Sequence, residues 1–91
     1  FPGGSVNGWL ADHIKYPVVA AENGISGRVV VQFVVERDGS VSQVRVVRGV
    51  DPSLDKEAQR VISSMPKWIP GKQNGQAVRS RFTVPVTFRL Q

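Results

Sequence analysis

The run Gly27-Arg28-Val29-Val30-Val31-Gln32-Phe33-Val34-Val35-Glu36-Arg37-Asp38-Gly39-Ser40-Val41 sets the architecture. Val29, Val31, Phe33 and Val35 fall on one face of an extended chain, and Arg28, Gln32 and Glu36 fall on the other, so residues 27–37 predict a strand. Val30 and Val34 interrupt the polar face, which predicts that this strand lies at the centre of a sheet with that side partly covered. Asp38-Gly39 supplies the positive φ that a two-residue hairpin turn needs, and a second β-branched run over 40–48 follows at once.

Working outward from this hairpin, Asp51-Pro52 places a capping carboxylate ahead of a proline whose missing N–H costs nothing at the first helical position. Leu54, Ala58, Val61, Ile62 and Met65 then form one apolar stripe, Lys56, Gln59, Arg60 and Ser63 face water, and Pro66 ends the helix. Residues 67–76 read as a long connection with turn signals at Pro70-Gly71 and Asn74-Gly75. Over 81–90, Phe82, Val84, Val86, Phe88 and Leu90 alternate with Arg81, Thr83, Pro85, Thr87 and Arg89, predicting a half-exposed strand. Toward the amino terminus, Val6, Trp9, Leu10 and Ile14 have helical spacing, with Ser5 as cap. Tyr16-Pro17 interrupts that helix and starts a second turn over 18–22, which Asn23-Gly24 closes because both residues tolerate positive φ. The reading is an α+β domain in the order α-α-β-β-α-β.

A chain of 91 residues buries between roughly 60% and 70% of its unfolded surface, enough for one modest core. Its 41% hydrophobic and 21% charged residues are those of an ordinary globular domain. Because it opens on Phe-Pro-Gly-Gly and not on Met, it is expected to be a piece of a longer protein, residues 1–91 forming a single domain. No apolar run approaches the roughly 20 residues of a membrane helix. With no cysteine, disulfides, thiolate metal sites and cysteine nucleophiles are excluded. The net charge of +5 favours acidic partners at long range, but Arg28, Arg37, Arg45, Arg48, Arg60, Arg79, Arg81 and Arg89 are spread through periodic segments. They read as solvated faces serving solubility, ahead of a directed acidic contact.

Nothing reads as catalytic. His13 is the only histidine and makes no ligand set with Asp12 or Glu22, so it is expected on a helix surface. Ser5, Ser40 and Ser53 have no base beside them, and Asp38 and Asp51 have turn and cap duties. Gly71-Lys72 and Asn74-Gly75 lack phosphate-loop spacing. No cofactor is expected. Trp68, between Pro66 and Pro70, is expected to pin its loop over the core, and Trp9 has the same reading.

The feature that points to function is Pro85. A proline inside a strand is tolerated mainly at a sheet edge. Phe82, Val84, Val86 and Phe88 are then expected to pair inward with the first strand, while Thr83, Pro85 and Thr87 present backbone groups to an open edge flanked by Arg81 and Arg89. Such an edge can bind an extended peptide, and it can equally be a device that blunts self-association.

Five motifs, in order, closely resemble the TonB carboxy-terminal domain family. They are Tyr16-Pro17, Ile25-Ser26-Gly27-Arg28-Val29, Val35-Glu36-Arg37-Asp38-Gly39-Ser40-Val41, Asp51-Pro52-Ser53-Leu54-Asp55 and Met65-Pro66-Lys67-Trp68-Ile69-Pro70-Gly71-Lys72. The resemblance runs over 1–90 and implies a three-stranded antiparallel sheet with helices packed on one face. It also implies a periplasmic domain of an inner-membrane-anchored energy transducer of a Gram-negative cell. Such domains grip the TonB-box peptide of outer-membrane transporters beside the last strand, and act through ExbB and ExbD, which meet the absent amino-terminal part. Carried over by position, the partner-binding residues are Arg81, Phe82, Thr83, Val84, Pro85, Val86, Thr87 and Phe88. The segment after Tyr16-Pro17, with Ala21, Glu22, Asn23 and Gly24, is a secondary contact, although family members carry a Gln there that this chain lacks.

Two other readings compete. A small basic α+β domain can lay RNA on an open sheet, but that needs exposed aromatics on the central strands, and Phe33, Phe82 and Phe88 fall on the expected core face, so no nucleic acid is expected. TonB-like domains also occur as accessory parts of membrane peptidases or sensors. An exposed edge further allows a homodimer by strand pairing.

Overall fold

The computed structural model describes residues 6–90. The elements are α1 (Val6–His13), α2 (Val18–Glu22), β1 (Gly27–Val35), β2 (Val41–Arg48), α3 (Pro52–Ser63), β3 (Lys72–Gln73), β4 (Gln76–Ala77) and β5 (Ser80–Phe88). The main sheet has the order β2-β1-β5, with both neighbours antiparallel to β1. The α-α-β-β-α-β order therefore holds, with one addition: the 67–76 connection carries a separate ribbon, β3–β4. Asn74 (φ 54°) and Gly75 (φ 77°) make its two-residue turn, the positive-φ pair that such hairpins require. The expected Ser5 cap lies outside the described residues.

The expected two-residue turn at Asp38-Gly39 takes another form. Gly39 N–H donates to Glu36 O (2.9 Å) and Glu36 N–H donates to Ser40 O (2.8 Å), so the turn is centred on Arg37-Asp38 and Gly39 follows it at φ +89°. Asp38 holds that form by accepting from the Ser40 N–H (2.9 Å) and hydroxyl (2.6 Å), a local bond that favours αR over the mirror-image turn.

Alternation on β1 and β5 builds the core. Val29, Val31, Phe33, Val35, Val86 and Phe88 share one face of the sheet and cluster with Leu54, Ala58, Val61, Ile62 and Met65 of the α3 region, Leu10 of α1 and Ala20 of α2. Asp51 caps α3 by accepting from Ser53 N–H at 3.0 Å. Helices thus lie on one face only. On the other, Val34 is buried all the same, at 5% exposure, beneath Arg79 and Arg81.

Three contacts lock the periphery to this core. Trp68 N–H donates to Gly39 O (2.8 Å), and its ring lies 5.5 Å from Phe33, which pins the connection over the sheet as expected. Tyr16 donates its hydroxyl proton to Ile25 O and meets Phe88 edge-on at 5.7 Å. Glu57 accepts from Lys15 N–H (2.7 Å) and from Arg60 (2.6 and 2.8 Å), tying the α1–α2 link to α3. At the end of β1, Glu36 accepts from Arg79 at 2.6 Å and from the Ser42 hydroxyl, and the Arg79 bonds, then Ser42, hold its carboxyl below the usual range.

Two outcomes follow from this packing. A Cβ at Gly39 would stand 2.2 Å from the Trp68 carbonyl oxygen at a φ that side chains avoid, so Gly39→Ala should lose about 2 to 4 kcal/mol in urea unfolding. Since the folded state binds the Glu36 proton more weakly, its contribution is complete above the ordinary carboxylate range and is lost as pH falls through and below it. Unfolding midpoints measured from neutrality to about pH 3 should therefore decline less steeply in Glu36→Gln than in the parent.

Candidate docking edge

Pro85 pairs with Val30. Because Pro85 has no N–H, this must be a non-hydrogen-bonded pair of the antiparallel ladder, and the bonded pairs are those one residue to either side. Val86 with Val29, Val84 with Val31 and Phe82 with Phe33 therefore exchange the bonds, as expected from the sequence. The N–H and C=O groups of Arg81, Thr83 and Thr87, and the C=O of Pro85, point to the flank of β5 where no described strand lies. Arg81, Thr83, Pro85 and Thr87 are all exposed.

The sheet has two free edges, and they differ. β5 runs along β1 for nine consecutive pairs, from Gly27↔Phe88 to Val35↔Ser80, without a register shift. β2 is shifted twice, between Val30/Val31 and between Gln32/Val34, and Gln43 sits at φ 49°. Extra residues in β2 twist its outer groups away from a regular ladder. The β5 edge keeps an even row of donors and acceptors, less the one donor that Pro85 lacks.

The α1 helix gives half of this edge a wall that the sequence did not reveal. Asn7, Leu10, Ala11 and Ile14 face Pro85, Val86 and Thr87 across a cleft of about 290 Å³. The helical spacing of Leu10 and Ile14 was legible as a core stripe, but their second role depends on where α1 comes to rest. At the other end, Phe82 corrects an expectation. It is on the inner face yet 39% exposed, because there the sheet is covered only by Trp68, whose ring stacks on it at 5.2 Å.

Ala21, Glu22, Asn23 and Gly24 are exposed at the exit of α2. Gly24 has φ +64°, but Asn23 does not share it: its φ is −96°, and its side chain instead donates to Val19 O at 2.8 Å. One glycine suffices for the reversal. Through Tyr16, Ile25 and the Gly27↔Phe88 pair, this exit lies near the Phe88 end of β5 and away from Arg81 and Phe82. Val18 and Val19 beside it are 72% and 55% exposed.

Other candidates fall into place. His13 is exposed, stacked on Trp9 at 4.1 Å, with Nδ1 2.8 Å from Trp9 O. Among the described residues, no three His, Asp or Glu side chains are grouped to hold a metal, and no helix is long and apolar enough to cross a membrane. The sheet face away from the helices carries no aromatic residue on its three described strands, so it offers no base-stacking platform. Scattered in sequence, Arg28, Arg45, Arg48, Arg81 and Arg89 converge on that same face.

A sheet of order β2-β1-β5, with helices on one side and a regular free last strand, defines a small α+β domain with one open sheet edge. The family described as Gram-negative bacterial TonB protein C-terminal matches residues 12–90, and the chain belongs to that family. Two solution structures of the Helicobacter pylori TonB carboxy-terminal domain are similar to it. The one of residues 194–285 has a TM-score of 0.70 at 25% identity, covering 92% of this chain and 88% of that one. The one of residues 179–285 has a TM-score of 0.74 at 25% identity, covering 99% and 87%. No match was found among curated protein sequences. The chain is thus a TonB-type periplasmic domain of the Gram-negative kind.

In the free domain, the Thr83 and Thr87 amides should exchange with deuterium at least about a hundredfold faster than those of Val84 and Val86, because only the latter are closed by ladder bonds. Equal protection at all four would show that the flank is occupied.

Proposed function

We propose that this domain captures the TonB-box peptide of outer-membrane transporters as an added strand along β5, and transmits work derived from the inner-membrane proton gradient to drive uptake. The observation that carries this reading is the contrast between the two sheet edges: β5 is regular over nine pairs, whereas β2 is bulged twice. Main-chain bonds to Arg81, Thr83, Pro85 and Thr87 supply affinity in such a mode, and pockets for alternate side chains supply selectivity. Inner-face side chains of the visiting strand fit the cleft between α1 and residues 85–87. Outer-face ones run past Thr83, Pro85 and Thr87.

Phe82, Val84, Val86 and Phe88 hold the strand in register from within, and the exposed exit at Ala21, Glu22, Asn23 and Gly24 makes a secondary contact at the Phe88 end. In this reading, residues 1–91 are one domain of a longer protein anchored in the inner membrane, whose remaining part meets ExbB and ExbD. The domain grips and pulls, and carries out no covalent chemistry.

Thr83→Pro removes one outward donor and leaves the inward ladder intact. Binding of an amino-terminal TonB-box peptide, measured by fluorescence anisotropy, should weaken about five- to twentyfold in this variant, while His13→Ala binds as the parent does. Unchanged affinity in a folded Thr83→Pro domain would remove β5 from the interface. Concentration-dependent loss of both binding and the fast-exchanging amides would indicate that a second copy occupies the edge instead.

A further inference from the structure

The face of the sheet opposite the helices holds the charge imbalance of the whole chain. Paired residues of an antiparallel ladder share a face, so Arg45 with Gln32, Arg48 with Val30, Arg28 with Thr87, and Arg81 with Val34 all project from it, as does Arg89 two residues beyond Thr87. All five are exposed, and among the described residues none has a carboxylate within 4.0 Å; the ion pairs there are Arg60–Glu57, Lys67–Asp38 and Arg79–Glu36. The remaining seven Lys and Arg are matched by seven Asp and Glu, so these arginines account for the net charge of +5. Glu36, the one acid on this face, is already bonded to Arg79.

The distribution is uneven. Arg28 of β1, Arg48 of β2 and Arg89, just past the end of β5, meet at one end of the face, where they line a cleft of about 920 Å³. Val50 and Leu90 line it too, at 44% and 41% exposure. Neighbouring strands lie about 4.8 Å apart, and alternate residues of an extended chain about 6.8 Å apart. Arg48 pairs with Val30, two residues along β1 from Arg28, so the two stand diagonally about 8 Å apart at the backbone. Long arginine side chains can match that separation to carboxylates on alternate positions of an extended peptide, each able to take a bidentate pair. A flat lipid surface fits less well, because surface-lying elements set a row of Trp, Phe or Leu beside their basic residues. Here Trp9, Tyr16, Trp68 and Phe82 pack toward the helix side, and among the described residues Leu90 is the one exposed side chain of that kind lining the cleft. We propose that the cleft formed by Arg28, Arg48 and Arg89 is a second docking site, which binds an acidic, extended peptide segment with an apolar side chain seated between Val50 and Leu90.

The site shares Thr87 and Phe88 with the end of β5, and Arg28 also lines the α1 cleft, so it is told apart from the edge by Thr83→Pro, which should bind the acidic peptide as the parent does. The probe is the capped hexapeptide Glu-Thr-Glu-Thr-Leu-Thr, which in extended form puts both Glu and the Leu on one face, titrated into the labelled domain and followed by amide and arginine side-chain NMR shifts. Shifts should be confined to the cleft, and binding should weaken about tenfold or more in the triple variant Arg28→Gln, Arg48→Gln, Arg89→Gln at low salt, and much less at about 0.5 M salt, where exposed charges are screened. The double variant Arg45→Gln, Arg81→Gln, outside the cleft, should change affinity less than about threefold. Equal binding by the triple variant and the parent overturns the proposal. So does arginine-dependent sedimentation with phosphatidylglycerol vesicles in the absence of hexapeptide binding, which would assign the face to a lipid surface. Amide spectra of the triple variant confirm that it is folded, as substitutions at exposed positions should leave it.

Discussion

The pairing of β1 with β5 is the constraint on which the rest of the molecule depends. It joins residues from 45 to 61 positions apart, and it places Val29, Val31, Phe33, Val86 and Phe88 on one surface for α3 to cover. A slip of one residue would turn every one of those side chains to the opposite face. Pro85 helps to prevent it, because its missing N–H is harmless only where it faces outward. The residue that marks the edge also sets the register.

The two edges show how the same sheet can be closed on one side and receptive on the other. Bulges in β2, with Gln43 in the left-handed region, break the even spacing that a foreign strand would need. β5 has no such break, and loses one donor only. This division suits the proposed capture of an extended peptide without promiscuous pairing, because a proline and charged side chains blunt an exposed strand edge. In the proposed reading, the α1 wall beside residues 85–87 gives inner-face side chains of an added strand a bounded space.

Much of the fold was legible because it is written in local periodicity. The valine alternation of 29–35, the Asp51-Pro52 start of α3 and the stripe from Leu54 to Met65 each declare an element through short-range chemistry, and the structure repeats them nearly residue for residue. Where local signals offered two outcomes, sequence reading went astray. Asp38-Gly39 admitted a mirror-image turn, but the Asp38–Ser40 bonds selected another form. Asn23-Gly24 offered two left-handed residues, and the chain needed one. Phe82 alternated as a core residue but stands at an end of the sheet that no helix reaches.

The sequence by itself determined the elements, their order, the inward face of each and the position of the free edge, since these follow from alternation, helical spacing and a proline that cannot donate. Tertiary structure alone decided what shares a surface. Arg28, Arg45, Arg48, Arg81 and Arg89 are dispersed along the chain, and only the antiparallel registers of β2 and β5 against β1 bring them to one face. The α1 cleft arose in the same way, from helix packing that no local pattern encodes. Periodicity specifies which side of an element faces inward; long-range pairing specifies which outward sides become neighbours.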